Sequence, residues 1–342
     1  MNFRRLGFLL ILLLSAKCVA AEPQILAGVN RIVFLGDSNT YAGQHVEYVE
    51  AIVAARMPGR SIEIINLGLP SETASGLSEP EHPYPRPCVH ERLDRTLARL
   101  KPQLVIVCYG MNDGIYYPLS PDRLAKFAEG MSKLVEKVTV AGAKIILLTP
   151  PPFDALPVRA KVLPPGRESY SYARPYQAYD QTLATYSLWL KGQARLGWTV
   201  LDIREPMIAS VSARRVGTPD YTLAGDGIHY NATGHWIVAK EILVALGVGP
   251  QEEIDGIGFH SAQRGKDSIA FPDVFGADNP GESAQLVKLI HDRQTLMKDA
   301  YLTEIGHKRP DMPKGLALAD ATKKAEAIDK EIRQLVSTKV KK

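Results

Sequence analysis

Ser38 lies in the sequence GDSN (residues 36–39), directly after an apolar run at 32–35. The apolar run predicts a buried strand, whereas glycine, aspartate and asparagine favour a tight turn. A serine at the end of a core strand is available to a bound substrate, but its hydroxyl is a weak nucleophile unless a base takes its proton. Ser38 is therefore a candidate nucleophile that needs a partner.

Asp226 and His229 lie three residues apart in the sequence GDGIHYNATGH at 225–235. A turn at this spacing brings the carboxylate to Nδ1 of the imidazole and leaves Nε2 directed at a nucleophile. We therefore expect His229 to act as the general base for Ser38 and Asp226 to orient the ring.

Two further stretches contain groups that stabilise an oxyanion: NLGLPSET at 66–73 and YGMNDG at 109–114. A tetrahedral intermediate needs hydrogen-bond donors, which backbone N–H groups and an asparagine amide provide. Gly68 allows the backbone to approach closely. The predicted oxyanion hole consists of the Ser38 and Gly68 N–H groups and the Asn112 amide, while Asp37 and Asp113 are expected to hold the loops through backbone hydrogen bonds.

Strand and helix patterns alternate through the first two thirds of the chain, which predicts a parallel sheet covered by helices on both faces. Ligands of such sheets bind at the carboxyl ends of the strands, where Ser38 lies. The predicted fold is a three-layer α/β/α sandwich with a central five-stranded parallel sheet. Its strands are predicted at 31–35, 61–66, 103–109, 144–149 and 198–202, and its helices at 45–57, 90–100, 121–141, 176–195 and 232–246.

The pattern changes after residue 250 to a glycine- and aspartate-rich stretch and then two amphipathic helices. We expect a main domain at 22–250 and a C-terminal extension at 251–342, a helical hairpin that packs on the main domain or on a second subunit. The apolar stripe of the first helix contains Leu286, Ile290, Arg293, Met297 and Tyr301, and that of the second contains Ala321, Ala325, Ile328, Ile332 and Leu335.

The first 21 residues have the pattern of a cleaved signal peptide. Arg4 and Arg5 precede an unbroken apolar run at 6–14, and small residues at 19–21 suit a signal peptidase. General secretion fits better than the twin-arginine route. The apolar run is too short to span a bilayer, for which about 20 residues are needed. We expect a secreted or periplasmic protein, cleaved near Ala21, with no stable membrane insertion.

The apparent basic charge belongs to this leader. The chain of 342 residues has 41 basic and 37 acidic residues, and loss of Arg4, Arg5 and Lys17 leaves 38 basic against 37 acidic. A nearly neutral protein gives no indication of nucleic-acid binding. With 45% hydrophobic and 23% charged residues, the composition is that of an ordinary globular protein.

These motifs together resemble the SGNH hydrolases of the GDSL esterase and lipase superfamily. Ser38, Gly68, Asn112 and His229 match the four letters of that name in order, across about residues 30–248. The resemblance implies a Ser38–His229–Asp226 triad, an acyl-enzyme mechanism and no cofactor or metal. The chain departs from the family name only at Asn39, where the name has leucine. An α/β-hydrolase would need the pattern G-x-S-x-G, and no serine here has that context.

The resemblance to exported members favours a serine esterase that removes short acyl groups, in particular acetyl, from a small-molecule or polysaccharide ester. The alternatives are a lipase or lysophospholipase and a carbohydrate-binding protein without catalysis. Ile115, Tyr116 and Tyr117 follow the predicted oxyanion hole and should leave a small acyl pocket. The tyrosines at 176, 179 and 186 suit either stacking on sugars or a helix face in the core.

The other conspicuous residues have structural explanations. His235 shares an apolar stripe with Val238 and Ile242, so a packed histidine is favoured over a metal site formed with Asp226 and His229. Asn231 belongs to a glycosylation sequence but suits a helix cap. Cys88 and Cys108 match no metal motif; export permits a disulfide between them, although a strand cysteine is more often a small buried hydrophobic residue.

Overall fold

Five parallel strands form the centre of the fold, in the computed structural model, which describes residues 24–264 and 267–340. The predicted signal peptide lies outside the described residues. The strands are Arg31–Gly36 (β1), Glu63–Gly68 (β2), Leu104–Cys108 (β3), Lys144–Leu148 (β4) and Val200–Leu201 (β5). Their order across the sheet is β2-β1-β3-β4-β5. Gly36 pairs with Gly68 on one side and with Cys108 on the other, so the loops that follow β1, β2 and β3 leave the sheet at one level.

Ten helices accompany the sheet within the described residues. They are Ser38–Ala42 (α1), Gln44–Arg56 (α2), Leu93–Leu100 (α3), Pro121–Val140 (α4), Tyr179–Gly192 (α5), Arg204–Arg215 (α6), Ala232–Ala245 (α7), Gln251–Asp255 (α8), Pro280–Ile305 (α9) and Leu318–Val340 (α10). Short 3₁₀ turns occur at Gln24–Leu26, Val89–Glu91 and Gln193–Leu196.

Both faces of the sheet are apolar because successive strand residues point to opposite sides. In β1, Ile32 and Phe34 pack in one core with α2 and α7, whereas Val33 and Leu35 pack in the other with α3, α4 and α5. The predicted three-layer α/β/α sandwich is confirmed.

The C-terminal helix α9 covers the edge of the sheet. Leu286 and Ile290 at its start lie in the core of one face, and Leu302 and Ile305 at its end lie in the core of the other. Between them, the Gln294 amide donates to the Ile64 carbonyl of the edge strand β2 at 2.8 Å. An exposed edge strand invites pairing with another chain, and α9 satisfies and covers part of this edge.

Helices α9 and α10 pack against each other, so the predicted helical hairpin is present, and α9 packs on the main domain. Arg293 pairs with Glu50 of α2, and the Tyr301 hydroxyl donates to Glu63 of β2 at 2.7 Å. Two polar positions of the predicted stripe thus dock the helix.

Several elements were not predicted, including the short helices α1 and α8. Residues Phe259–Arg264 (β6) and Asp267–Pro272 (β7) form an antiparallel hairpin, and helix α6 lies between β5 and the 226–229 turn. In the part of the chain that the structure describes, no helix has the length and apolar character needed to cross a membrane.

Candidate active site

Ser38 is the first residue of α1, immediately beyond the end of β1. The chain can turn this sharply because residue 36 is glycine: a Cβ there would lie 2.2 Å from Thr40 Oγ1 and 2.8 Å from the Cys108 carbonyl oxygen. Asp37 caps the helix by accepting the Asn39 N–H at 3.0 Å, which confirms its predicted loop-holding role. The turn therefore fixes the serine at the carboxyl edge of the sheet.

A continuous hydrogen-bond chain joins Ser38, His229 and Asp226. His229 Nε2 lies 2.7 Å from Ser38 Oγ, and His229 Nδ1 lies 2.6 Å from Asp226 Oδ2. The second oxygen, Asp226 Oδ1, accepts the N–H groups of Ile228 at 3.0 Å and His229 at 2.8 Å. Because the carboxylate only accepts, Nδ1 carries the proton and Nε2 is free to accept the serine proton.

The electrostatics of this chain suit a general base. The hydrogen bond to Asp226 is the main cause that raises the pKa of His229 above its ordinary value, although partial burial opposes it. Burial alone would raise the pKa of Asp226, but hydrogen bonds from His229 and Ile228 hold that pKa far below its ordinary value. Asp226 thus stays ionised beside the ring and stabilises its charged form.

Asp154, in the loop after β4, anchors the turn that carries the histidine. Its N–H donates to the Gly227 carbonyl at 3.0 Å, and its carboxylate accepts from Arg215 and Thr222, each at 2.6 Å. Gly227 has a φ of 79°, and a Cβ there would lie 2.5 Å from the Asp154 carbonyl oxygen. The 226–229 turn is therefore held by the loop that contains Asp154 as well as by Asp226 within the turn.

Asn112 lies in the turn after β3, where both ends of its amide are engaged. Its Nδ2 donates to the Glu72 carbonyl at 3.2 Å, and its Oδ1 accepts the Tyr116 hydroxyl at 2.9 Å. An amide nitrogen has two hydrogens, so one remains for another acceptor. Neighbouring Asp113 accepts the N–H groups of Ala74 at 2.9 Å and Ser75 at 2.7 Å, as predicted for a loop-holding carboxylate.

Gly68 has a different arrangement from the one that we predicted. Its N–H already donates to Asn66 Oδ1 at 2.8 Å, so it is not free to serve an oxyanion. A Cβ at this position would lie 2.1 Å from the Tyr41 nitrogen. The glycine is needed because α1 packs directly on the end of β2, which agrees with the predicted close approach of the backbone; only the pairing of its N–H with Asn66 was not predicted.

Ser71, three residues further on, presents a backbone N–H that we did not predict. It has a left-handed φ of 67°, and its N–H donates to no acceptor within the described residues. The next residue, Glu72, supplies the carbonyl that Asn112 contacts. The turn PSET at 70–73 is the sequence signal for this position, but a turn alone does not reveal which N–H group is unpaired.

The structural explanations for several other residues are confirmed. His235 is buried, and its Nδ1 lies 3.0 Å from Nδ1 of His45. Asn231 caps α7 by accepting the Gly234 N–H at 3.1 Å. Cys88 and Cys108 are free thiols, so the disulfide alternative is wrong. Among the described residues, no group of three or more histidine, cysteine, aspartate or glutamate side chains is arranged to hold a metal ion.

The tyrosine-rich stretch at 169–189 divides between core and surface. Tyr179 and Tyr186 are fully buried, and Tyr176 is partly buried against Tyr170. Tyr172, by contrast, is 44% exposed. The core explanation thus holds for Tyr179 and Tyr186, and the exposed ring is one that we did not single out.

A parallel α/β sheet with a hydrogen-bonded Ser–His–Asp chain at the carboxyl ends of its strands defines a serine hydrolase. The family model of the GDSL-like lipase/acylhydrolase family matches residues 34–237, which is more than half of the chain. The protein belongs to this family and is a carboxylic ester hydrolase, and the predicted resemblance is confirmed. No curated protein matches the sequence.

The solved structures to which the chain is similar are distant in sequence. A gut microbial diltiazem-metabolizing enzyme is 16% identical, with a TM-score of 0.58, over 92% of this chain and 95% of that one. The acetylxylan esterase Axe2 from Geobacillus stearothermophilus is 20% identical, with a TM-score of 0.48, over 64% of this chain and 94% of that one. The first match extends well past residue 250, so the likeness in fold includes the C-terminal region.

Proposed function

We propose that the protein is an exported serine esterase that removes short acyl groups, acetyl in particular, from a carbohydrate. The observation that carries the catalytic part is the chain of two short hydrogen bonds, 2.7 Å from Ser38 to His229 and 2.6 Å from His229 to Asp226. A nucleophile, a base and an orienting carboxylate in this order are the parts that acyl transfer needs.

The reaction follows from these positions. Ser38 Oγ attacks the ester carbonyl while His229 Nε2 takes the hydroxyl proton, and the protonated ring then gives that proton to the leaving alcohol. Water, deprotonated in turn by His229, attacks the acyl-enzyme and releases the acid and the free serine. Asp226 stabilises the imidazolium in both halves. No cofactor or metal enters any step.

The oxyanion needs donors that are in place before the reaction. We assign this role to the N–H group of Ser38, which has no partner within the first turn of α1, and to the remaining amide hydrogen of Asn112. The third donor is the N–H of Ser71 in place of Gly68, because the Gly68 N–H is already bound to Asn66.

A small acyl group is supported by the wall beside Asn112. Ile115 and Tyr116 are 9% and 2% exposed, so both side chains are buried next to the proposed oxyanion hole. The Tyr116 hydroxyl donates to Asn112, and the Tyr116 ring packs on the Tyr179 ring with the two ring centroids 4.9 Å apart. A wall of packed, hydrogen-bonded rings does not yield easily to a long chain.

A carbohydrate is supported by an aromatic cluster linked to this wall. The exposed Tyr172 ring lies 5.5 Å from His82, which packs edge-on against Tyr84 at 4.6 Å. Two residues after Tyr84, Arg86 lies over the Tyr116 ring at 5.4 Å. An exposed ring backed by two partly exposed ones suits the apolar face of a sugar. Export rests on the leader pattern at residues 1–21.

Acyl length provides the test. On aryl esters, kcat/KM should peak at acetyl, fall by butyryl and be barely measurable at octanoyl, since each badly placed methylene costs roughly 1–3 kcal/mol. Ile115→Ala is the matched variant: it should raise the butyryl-to-acetyl ratio while Ser38→Ala abolishes both activities. Release of acetate from acetylated polysaccharides then tests the carbohydrate directly.

The alternatives give distinct results in the same assays. A preference for octanoyl over acetyl, with hydrolysis of lysophospholipid, would establish the lipase alternative. Binding of a polysaccharide without hydrolysis of any ester would establish the non-catalytic alternative. Acetate release from aryl acetate but from no polysaccharide would keep the esterase and reject the carbohydrate.

A further inference from the structure

Asn39 lies directly after the nucleophile and is almost completely buried, at 1% exposure. Its side chain makes two hydrogen bonds to a segment that is 189–191 residues away in sequence. Nδ2 donates to the Ile228 carbonyl at 3.2 Å, and Oδ1 accepts the Tyr230 N–H at 3.2 Å. These two groups belong to the residues immediately before and after His229, so one amide grips the backbone on both sides of the base.

Among the described residues, the only other side-chain hydrogen bond between α1 and residues 226–230 is the one between Ser38 and His229. The contact between His229 and Asp226 is internal to the 226–229 turn, which carries both residues. The contact between His229 and Ser38, by contrast, joins that turn to α1. The distance between His229 Nε2 and Ser38 Oγ therefore depends on how the 226–229 turn is held against α1. Asn39 joins the two directly, because its side chain bonds to residues 228 and 230.

We propose that Asn39 is a positioning residue that sets the distance between the Ser38 hydroxyl and the His229 base. This inference rests on the proposed catalytic roles of Ser38 and His229. Leucine, which stands at this position in the family name, can fill the same volume but makes neither hydrogen bond. The role therefore belongs to the amide and not to the bulk of the side chain.

Asn66 offers a matched control because it holds the same helix from strand β2. It is also buried, and its Nδ2 donates to the Thr40 carbonyl of α1 at 2.7 Å. Within the described residues, its side chain makes no hydrogen bond to the 226–230 segment. A general loosening of α1 should follow from loss of either asparagine, whereas a displaced base should follow only from loss of Asn39.

The experiment compares Asn39→Leu, Asn39→Ala and Asn66→Ala with the wild type on an aryl acetate. We expect both Asn39 variants to lower kcat by about 10–100-fold, since a displacement of about 1 Å can cost that much. KM and the pKa of the acidic limb of the kcat/KM profile should not change, because Asp226 and His229 remain paired. Labelling of Ser38 by a fluorophosphonate should slow by the same factor. Asn66→Ala should keep most of its kcat.

Each contrary result overturns the inference. Wild-type kcat in folded Asn39→Leu would show that the amide is not needed, and the smaller Asn39→Ala supplies the same test if the leucine variant does not fold. An equal loss in Asn66→Ala would attribute the effect to α1 as a whole. A shifted acidic limb would mean that Asn39 acts through the Asp226–His229 pair. Failure of the proposed function itself is distinguishable, because the wild type would then hydrolyse no ester.

Discussion

Two histidine sites lie near the first two helices: His229 beside Ser38 of α1, and His235 beside His45 of α2. They differ in solvent exposure, in hydrogen-bond partner and in pKa. His229 is half-exposed and bonded to a carboxylate, and its pKa is raised. His235, six residues later, is buried and stacks on His45 with ring centroids 5.2 Å apart. Burial lowers the pKa of His45 to about 3 and lowers that of His235 well below its ordinary value. The same residue type thus forms the proposed base in one site and a neutral packing pair in the other.

The opposite pKa shifts of the two sites come from the group bonded to each ring and from its exposure to solvent. At His229, Asp226 compensates the charge that the ring acquires when it takes a proton. At the buried pair, burial disfavours the charged form of both rings, and neither ring supplies an opposite charge to the other, so a proton there would place an uncompensated charge in the core. His235 Nδ1 accepts from the His45 backbone N–H at 3.4 Å and lies 3.0 Å from its Nδ1, which fits a neutral ring protonated on Nε2.

The largest expected effect is a loss of esterase activity when a residue of the His229 site is replaced. His229→Ala and Ser38→Ala should each lower kcat/KM by about 10⁴–10⁶-fold, because members of a catalytic triad act as a unit. The melting temperature should change little, since both side chains are at the surface of the site. Aryl acetate hydrolysis and thermal unfolding of the same preparations measure the two quantities.

His45→Leu is the control for this comparison. It should keep kcat within about tenfold of the wild type while lowering stability, because a buried hydrogen-bonded group is replaced. Near-normal turnover by folded Ser38→Ala would remove the serine mechanism altogether. A loss in His45→Leu as large as that in His229→Ala would mean that the buried pair takes part in the chemistry.

The comparison also shows what a sequence can reveal. All five central strands were predictable because each is a short apolar run followed by turn residues, and the site followed from polar residues at their ends. His235 was predictable as a packed residue from its stripe with Val238 and Ile242. Its partner His45 was not, since the two are 190 residues apart.

The same limit explains the errors at the site. Gly68 was correctly singled out, but only the structure shows that Asn66 occupies its N–H. Asn39 looked like a neutral departure from the family name, and its bonds to residues 228 and 230 depend on tertiary structure. The β6–β7 hairpin was missed because its surroundings, rich in glycine and aspartate, resemble a loop.

A smaller effect is expected when Asp226, which raises the pKa of His229, is replaced. Asp226→Asn should lower kcat by about 10⁴-fold, because the ring loses its orientation and the compensation of its charge. The raised pKa of His229 depends first on its bond to Asp226, so the residual activity should extend to lower pH than in the wild type. The kcat/KM profile between about pH 4 and 9 measures this shift. An acidic limb that moves upward instead would contradict the assigned cause.

The smallest expected effect is a loss of folding stability at low pH that the buried pair of His45 and His235 causes. Because the folded-state pKa of both rings is depressed, the unfolded chain binds more protons than the folded one below the ordinary histidine value of about 6.5. Stability is therefore complete above that value and is lost as the pH falls toward the folded-state value of His45, about 3. Asp37 acts in the opposite direction, since burial raises its pKa to about 6 and the folded state then takes up the proton.

The variant His45→Leu/His235→Leu isolates the histidine contribution, because Asp37 is present in both proteins and cancels in the comparison. Between about pH 7 and pH 5, each depressed histidine should cost the wild type roughly 2 kcal/mol that the double variant does not lose. Urea unfolding at the two pH values measures the difference. An equal loss of stability in both proteins would show that the two rings have the ordinary histidine pKa in the folded state, and the contrast with His229 would then rest on solvent exposure alone.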